Sequence, residues 1–207
     1  MHVQWCVRGV ARPDPNWLKS LFSSGGLTCG WWWNRPDGNL PTAEIADRLD
    51  DLQLYLHQNW FDQPDPRFSP GSVRQNTPFI SLSAGVVSRE VRFAANVVHR
   101  AQLIASEFAT LYGRVPGVLI YCWVVTSTVP AVSIEAVAEE LRDLNSNRPY
   151  SALQLEGEVA AKIRVPATQL YAYQRVRRRG LSYRLDRTVF NPTFTPPVPL
   201  SDIRAFL

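Results

Sequence analysis

Lysine is nearly missing from this chain: Lys19 and Lys162 are its only two, so arginine supplies almost all of the 22 basic side chains. A GC-rich coding bias accounts for that, and a net charge of +4 is too mild to define a partner. Cysteine is scarce and odd in number. Cys6, Cys29 and Cys122 have no metal-binding or redox spacing, and an odd count argues against a full disulfide framework, leaving room for one bridge such as Cys6 to Cys29. No apolar run approaches the ~20 residues of a membrane-spanning helix. The start, MHVQWCVRGVARPDP, lacks the long apolar centre of a secretory leader, so a soluble chain is expected. Internal repeats are also absent.

What is present is enough apolar material for a sizeable core: 45% of 207 residues, the size of a single domain. HVQWCVR alternates as a first strand ending near Arg8, and DPNWLKSLFSSGGL reads as a short helix closed by Gly25 and Gly26. PTAEIADRLDDLQLYLHQNW repeats Ile45, Leu49, Leu52 and Leu56 at helical spacing, and a loop rich in proline and glycine follows it. TPFISLS is a buried strand. The longest helix is expected over VSREVRFAANVVHRAQLIASEFATLYG, with Val91, Ala94, Val98, Ala101, Ile104, Phe108 and Leu111 on its core face. GVLIYCWVVTST is the strongest strand, SIEAVAEELRDLNS reads as another helix, and strands dominate from Glu158 onward. Without regular strand–helix alternation, this mixture predicts an α+β fold. The proline-rich end, residues 191–207, reads as a linker or wrapping arm.

One stretch asks for a chemical explanation. In YSALQLEGEVAAKIRVPATQLYAY, Glu156 and Glu158 stand two apart in a strand-like run, and an extended backbone sends such residues to the same face. Two carboxylates would converge on one spot.

Four blocks in order resemble the mono-ADP-ribosyltransferase toxins, and most closely the enzymatic subunit of the cholera toxin and heat-labile enterotoxin group. RGVARPDPNWLKSLFSSGGL is similar to the family's Arg-x-x-x-Arg-Pro stretch leading to Ser-Gly-Gly-Leu. LYLHQ is similar to a Leu-Tyr-x-His segment, and FISLSAGVVSREVRFA stands where the aromatic-x-Ser-Thr-Ser strand belongs, with Ser81 and Ser83 as its serines and Leu82 in place of the threonine. EGEVAAKIRVPATQLYAYQRV resembles the Glu-x-Glu-Val run with its later proline. Val7 and Val10 depart from the family, which has an aromatic residue and an acid at those places.

The resemblance implies an α+β ADP-ribosyltransferase fold of two small packed antiparallel or mixed sheets with flanking helices and NAD in the cleft between them. It implies a catalytic domain over residues 1–190, with a longer insertion at about 31–76. Cleaving the nicotinamide–ribose bond passes through an oxocarbenium-like sugar, which a carboxylate stabilises. That role falls by resemblance to Glu158, oriented by Ser81. Arg8 would grip the NAD diphosphate, with Gly9, Ser83 and His57 in the same pocket. Glu156 would bind an acceptor arginine and take its proton, so the family pattern implies an arginine on a target protein. No metal is required. A secreted or translocated toxin or effector follows, with an activating small GTPase or a delivery subunit as partners known from the family, though no residues here mark either. Two alternatives stand beside it: an NAD glycohydrolase, which gives the sugar cation to water, and an inactive binding module that keeps the fold and holds a partner through its tryptophan and arginine surfaces. The arginine run in QRVRRRG reads as a solvated hairpin end, with nucleic acid as a second-choice acceptor. Trp31 to Trp33 read as a cap on the core.

Overall fold

The computed structural model describes residues 2–23, 25–33, 48–84, 94–127, 137–140 and 158–197. Strand β1 (His2–Ala11) pairs antiparallel with β4 (Gly117–Ser127) along its whole length, from His2 opposite Thr126 to Ala11 opposite Gly117. Both strands are rich in valine and aromatic residues, which suit a pleated surface buried on both sides. Between them in sequence come α1 (Pro15–Ser20), β2 (Leu27–Thr28), α2 (Gly30–Trp33), α3 (Asp51–Asn59), α4 (Val73–Asn76), β3 (Phe79–Ser83) and α5 (Ala94–Ala109). After β4 follow β5 (Val137–Glu140), β6 (Glu158–Lys162), β7 (Arg164–Val165), a 3-10 turn at Ala167–Gln169, β8 (Leu170–Arg179), β9 (Ser182–Leu185) and β10 (Val189–Phe190).

The α+β class expected from the sequence is the one that forms, and the described residues build two sheets of unequal size: eight strands, and the pair β2–β7. Within the large sheet β4 carries β8 on one edge, and β8 carries β9 and β10. On the other side β3 pairs with β6, β6 with β5, and β5 returns in parallel to the end of β4. β1 and β3 meet only where Val7 lies opposite Ser83, so these two strands part on either side of that pair. The parting leaves room for side chains from both to converge.

Helix α5 lies on β1 and β4, and its buried face is Ala101, Ile104, Ala105 and Ala109. The expected core positions Phe108 and Leu111 are instead exposed, at 39% and 42%. The reason is the closeness of the contact, which admits only small residues at its centre. A Cβ placed on Gly9 would lie 2.0 Å from the carbonyl oxygen of Ala105, and one on Gly117 would lie 1.8 Å from that of Ala109. Two bare backbones against an alanine face bring this helix onto the sheet. Val91 lies outside the described residues.

Other local expectations shift for tertiary reasons. Residues 137–140, expected as helix, form β5 because the strand occupies the gap between β4 and β6 and bonds to both. The helix expected around residues 41–60 is described over Asp51–Asn59, where Gln53, Leu54, Leu56 and His57 are buried and Leu52 is exposed. Cys6, Cys29 and Cys122 are all buried free thiols, so no Cys6–Cys29 bridge forms. Burial pushes the thiol of Cys29 up to about 11 and that of Cys122 up to about 12, keeping both neutral. Of the tryptophan run, Trp31 is buried in the core, Trp32 packs against it and Trp33 is exposed. The start of the proline-rich end packs on the sheet: Phe194 rests against Trp5 and Tyr171, and the Trp123 indole N–H donates to the Thr195 carbonyl at 2.9 Å. No described helix is long and apolar enough to cross a membrane.

Candidate active site

Four separate elements deliver side chains to the place where β1 and β3 part. Arg8 comes from β1, His57 and Gln58 from α3, Ser81 from β3, and Glu158 from the first position of β6, opposite Ser83 in the ladder. Alternation along β1 turns Val7 and Gly9 towards α5 and Arg8 towards the other face. Gly9 therefore sits against α5, on the opposite side of the strand from the Arg8 side chain. Helix α3 starts firmly: Asp50 accepts the Gln53 backbone N–H at 2.7 Å and also holds Arg67 at 2.7 Å. Its buried side then presents His57 to β3.

The imidazole of His57 is 3% exposed and bonded at both nitrogens, with Nδ1 2.8 Å from Thr77 Oγ1 and Nε2 2.7 Å from Ser81 Oγ. Phe61 meets the ring edge-on and Phe79 tilts against it. Burial first, and the nearby Arg8 cation second, lower its pKa to about 3, so the ring is neutral throughout the physiological range. Ser81 in turn hydrogen-bonds the Glu158 carboxyl, and Glu158 Oε1 lies 4.0 Å from His57 Nε2. Arg8 Nη1 donates to the Ser81 carbonyl at 2.8 Å. Its side chain is half-buried, and desolvation brings its pKa down to about 10, which leaves it a cation at neutral pH.

Glu158 is 7% exposed, and burial raises its pKa above the usual carboxylate range despite the Ser81 hydroxyl, the Gln58 amide and the Arg8 cation. The Gln58 amide favours the charged carboxylate, yet its Nε2 is buried and reaches no partner at hydrogen-bond distance and geometry. A nearly buried carboxylate whose pKa is raised by desolvation suits a functional site. Ser83 is also buried, next to Glu158 across the ladder. The structure thus brings Arg8, His57, Ser81, Ser83 and Glu158 together. Glu156 lies outside the described residues. Among those residues, no group of three or more His, Cys, Asp or Glu is arranged to hold a metal ion.

Gln58 and Thr77 belong to this site and were not singled out from the sequence. Gln58 follows His57 directly, but nothing in an amide's identity marks it as aimed at Glu158, far along the chain. Thr77 is four residues before Ser81, and a hydroxyl bonded to a ring on another helix leaves no periodic trace.

The buried neutral histidine has a measurable cost in acid. In the unfolded chain its pKa is near 6.5, so below that pH the unfolded state binds a proton that the folded state refuses down to about 3. Stability is therefore lost as pH falls across that interval, on the order of 2–3 kcal/mol by pH ~4.5. Urea unfolding at pH ~7 and ~4.5 checks this: His57→Gln is expected to lose less stability on acidification than the parent by about that amount.

Comparison with known proteins yields no matching family model and no matching curated protein. Solved structures do match. One is a heat-labile enterotoxin with an arginine-to-lysine substitution, described as giving great flexibility to an active-site loop of the A subunit; it is 19% identical, over 92% of this chain and 75% of that one, at a TM-score of 0.44. Another is EcPltA, 13% identical over 94% of this chain and 89% of that one, at a TM-score of 0.45. A third is an E. coli heat-labile enterotoxin mutant in which a buried valine is replaced by lysine, with loss of activity and no conformational change. It is 17% identical, covering 88% of this chain and 75% of that one, at a TM-score of 0.41.

Proposed function

We propose that the protein is a mono-ADP-ribosyltransferase that cleaves NAD at the nicotinamide–ribose bond and transfers ADP-ribose to an arginine side chain of a target protein. The observation that carries this reading is the linkage of Arg8, His57, Ser81 and Glu158 through contacts of 2.7, 2.8 and 4.0 Å and the Ser81–Glu158 hydrogen bond. A buried carboxylate, a cation and neutral hydrogen-bonding groups at one parting of two strands are what oxocarbenium chemistry on a dinucleotide requires.

In the reaction, the glycosidic bond breaks and nicotinamide leaves with the electron pair. Positive charge grows on the ribose, where the Glu158 carboxylate stabilises it from a site that excludes water. The same carboxylate accepts a hydrogen bond from a ribose hydroxyl, while Ser81 keeps it oriented. Arg8, with donors beyond the one given to the Ser81 carbonyl, holds the diphosphate. The acceptor guanidine then attacks the anomeric carbon, and Glu156, two residues before Glu158, takes the proton that the guanidinium must lose. Residues 1–190 form the catalytic unit on this reading, and the protein acts as a toxin or effector inside another cell.

Incubation with labelled NAD and a small guanidine acceptor tests it. Label on the acceptor, with one free nicotinamide per transfer, is expected. Free ADP-ribose accumulating equally with and without acceptor identifies a glycohydrolase instead, and no nicotinamide release removes the reading altogether.

A further inference from the structure

Thr77 lies just ahead of β3, and its side chain is enclosed: the residue is 1% exposed. Its Oγ1 accepts the Phe79 backbone N–H at 3.2 Å and is 2.8 Å from His57 Nδ1. Across the ring, Nε2 meets Ser81 Oγ, which bonds Glu158. Hydroxyl, neutral imidazole, hydroxyl and carboxyl thus form one chain, and such a chain can be ordered in two directions. In the first, Thr77 O–H donates to Nδ1, Nε2–H donates to Ser81 Oγ, and Ser81 O–H donates to the Glu158 carboxylate. In the second, a protonated Glu158 donates to Ser81, Ser81 donates to Nε2, and Nδ1–H donates to Thr77.

The environment of Thr77 separates them. In the second ordering its oxygen receives both the Phe79 and the His57 N–H, and its own proton has no acceptor among the described residues. Stranding a buried donor is the costly outcome, whereas the first ordering leaves every proton of the chain with an acceptor. We propose that Thr77 is a positioning residue that sets the direction of this chain, fixing His57 as the Nε2–H tautomer and thereby holding the Ser81 hydroxyl as a donor to the Glu158 carboxylate. The arrangement keeps an acceptor at position 158 where burial alone would favour the neutral acid. Its effect on catalysis rests on the transferase reading above; the tautomer does not.

Nitrogen-15 NMR of the full chain at neutral pH reads the tautomer directly. A protonated Nε2 with a bare Nδ1 is expected at His57, and a protonated Nδ1 overturns the proposal. Kinetics supply the second arm. Thr77→Val removes the donor to Nδ1 and is expected to lower kcat for transfer about tenfold, with KM for NAD changed by less than about twofold. Thr77→Ser keeps the hydroxyl and is expected to restore kcat. A valine variant as fast as the parent, or a serine variant as slow as the valine one, overturns the positioning role. Should Thr77→Val fail to fold, the parent's tautomer and the serine variant still decide. If NMR gives Nε2–H while no ADP-ribose is transferred, the transferase reading fails and the assignment of the chain's direction stands.

Discussion

Replacing Glu158 with glutamine is expected to lower NAD-dependent transfer on the order of 10²–10³-fold or more and, at neutral pH, to raise the unfolding midpoint rather than lower it. The two effects have one cause. The carboxylate is almost fully buried, and desolvation outweighs the hydrogen bonds and the Arg8 cation that oppose it, so its pKa in the folded chain stands above the unfolded value. A raised carboxyl pKa means that above it the folded state carries a charge that the unfolded state would carry more cheaply in water. Glutamine retains the shape and removes that charge. The stability gained is present at neutral pH and disappears as pH falls through the folded pKa of Glu158, because the parent carboxyl is then neutral as well. Thermal unfolding of both proteins at pH ~7 and ~4, beside the nicotinamide-release rate, measures the pair. Equal activity in the two proteins would remove Glu158 from the chemistry. A midpoint lowered by glutamine at neutral pH would show that the hydrogen bonds and the cation outweigh its burial.

The second large effect is on folding. Gly9→Ala is expected to cost about 3 kcal/mol or more, because the added methyl would stand 2.0 Å from the Ala105 oxygen, 2.9 Å from the Ala109 nitrogen and 3.0 Å from the Ala105 carbonyl carbon. Those atoms are helix backbone and cannot rotate away as a side chain tip would. For a chain of this length the loss corresponds to a fall of about 6–12 °C in the midpoint. Gly117→Ala meets the same helix at Ala109 and is expected to behave alike. In the Gly9 variant, the adjustment moves β1 against α5 and so displaces Arg8, one residue away. NAD affinity should therefore fall along with stability, even though the glycine faces away from the Arg8 side chain. Calorimetry with a parallel NAD titration checks this, and an unchanged midpoint would mean that α5 does not press on the strand as described.

Much of this architecture was legible in the residues. The strands 2–11, 79–83 and 117–127 follow from alternating or continuous runs rich in β-branched and aromatic residues, and α1 follows from Asp14 and Pro15 at its start, with the Asp14 carboxylate accepting the Asn16 and Trp17 N–H groups. Where the sequence misled, the deciding contact was distant. Residues 137–140 have helical composition but lie between two strand edges that both need partners. The buried face of α5 turned away from Phe108 because glycines at 9 and 117 demanded alanines opposite them, a requirement that no periodicity within the helix expresses.

The candidate site divides in the same way. Resemblance to the transferase toxins, carried by four short blocks in order, nominated Arg8, His57, Ser81 and Glu158. That His57 is neutral, that Ser81 connects it to Glu158, and that Thr77 and Gln58 complete the cluster were decided only by the tertiary structure. Hydrogen-bond direction and desolvation depend on which groups the fold encloses together, and enclosure joins positions 8, 57, 77, 81 and 158 whatever their separation along the chain. By itself the sequence determined the chemical types available and the strands and helices that carry them. The packing of β1 beside β3, with α3 across them, decided which of those groups lie out of water and within reach of one another, and the physical reason is that charge and proton position are set by local dielectric and partners rather than by residue identity.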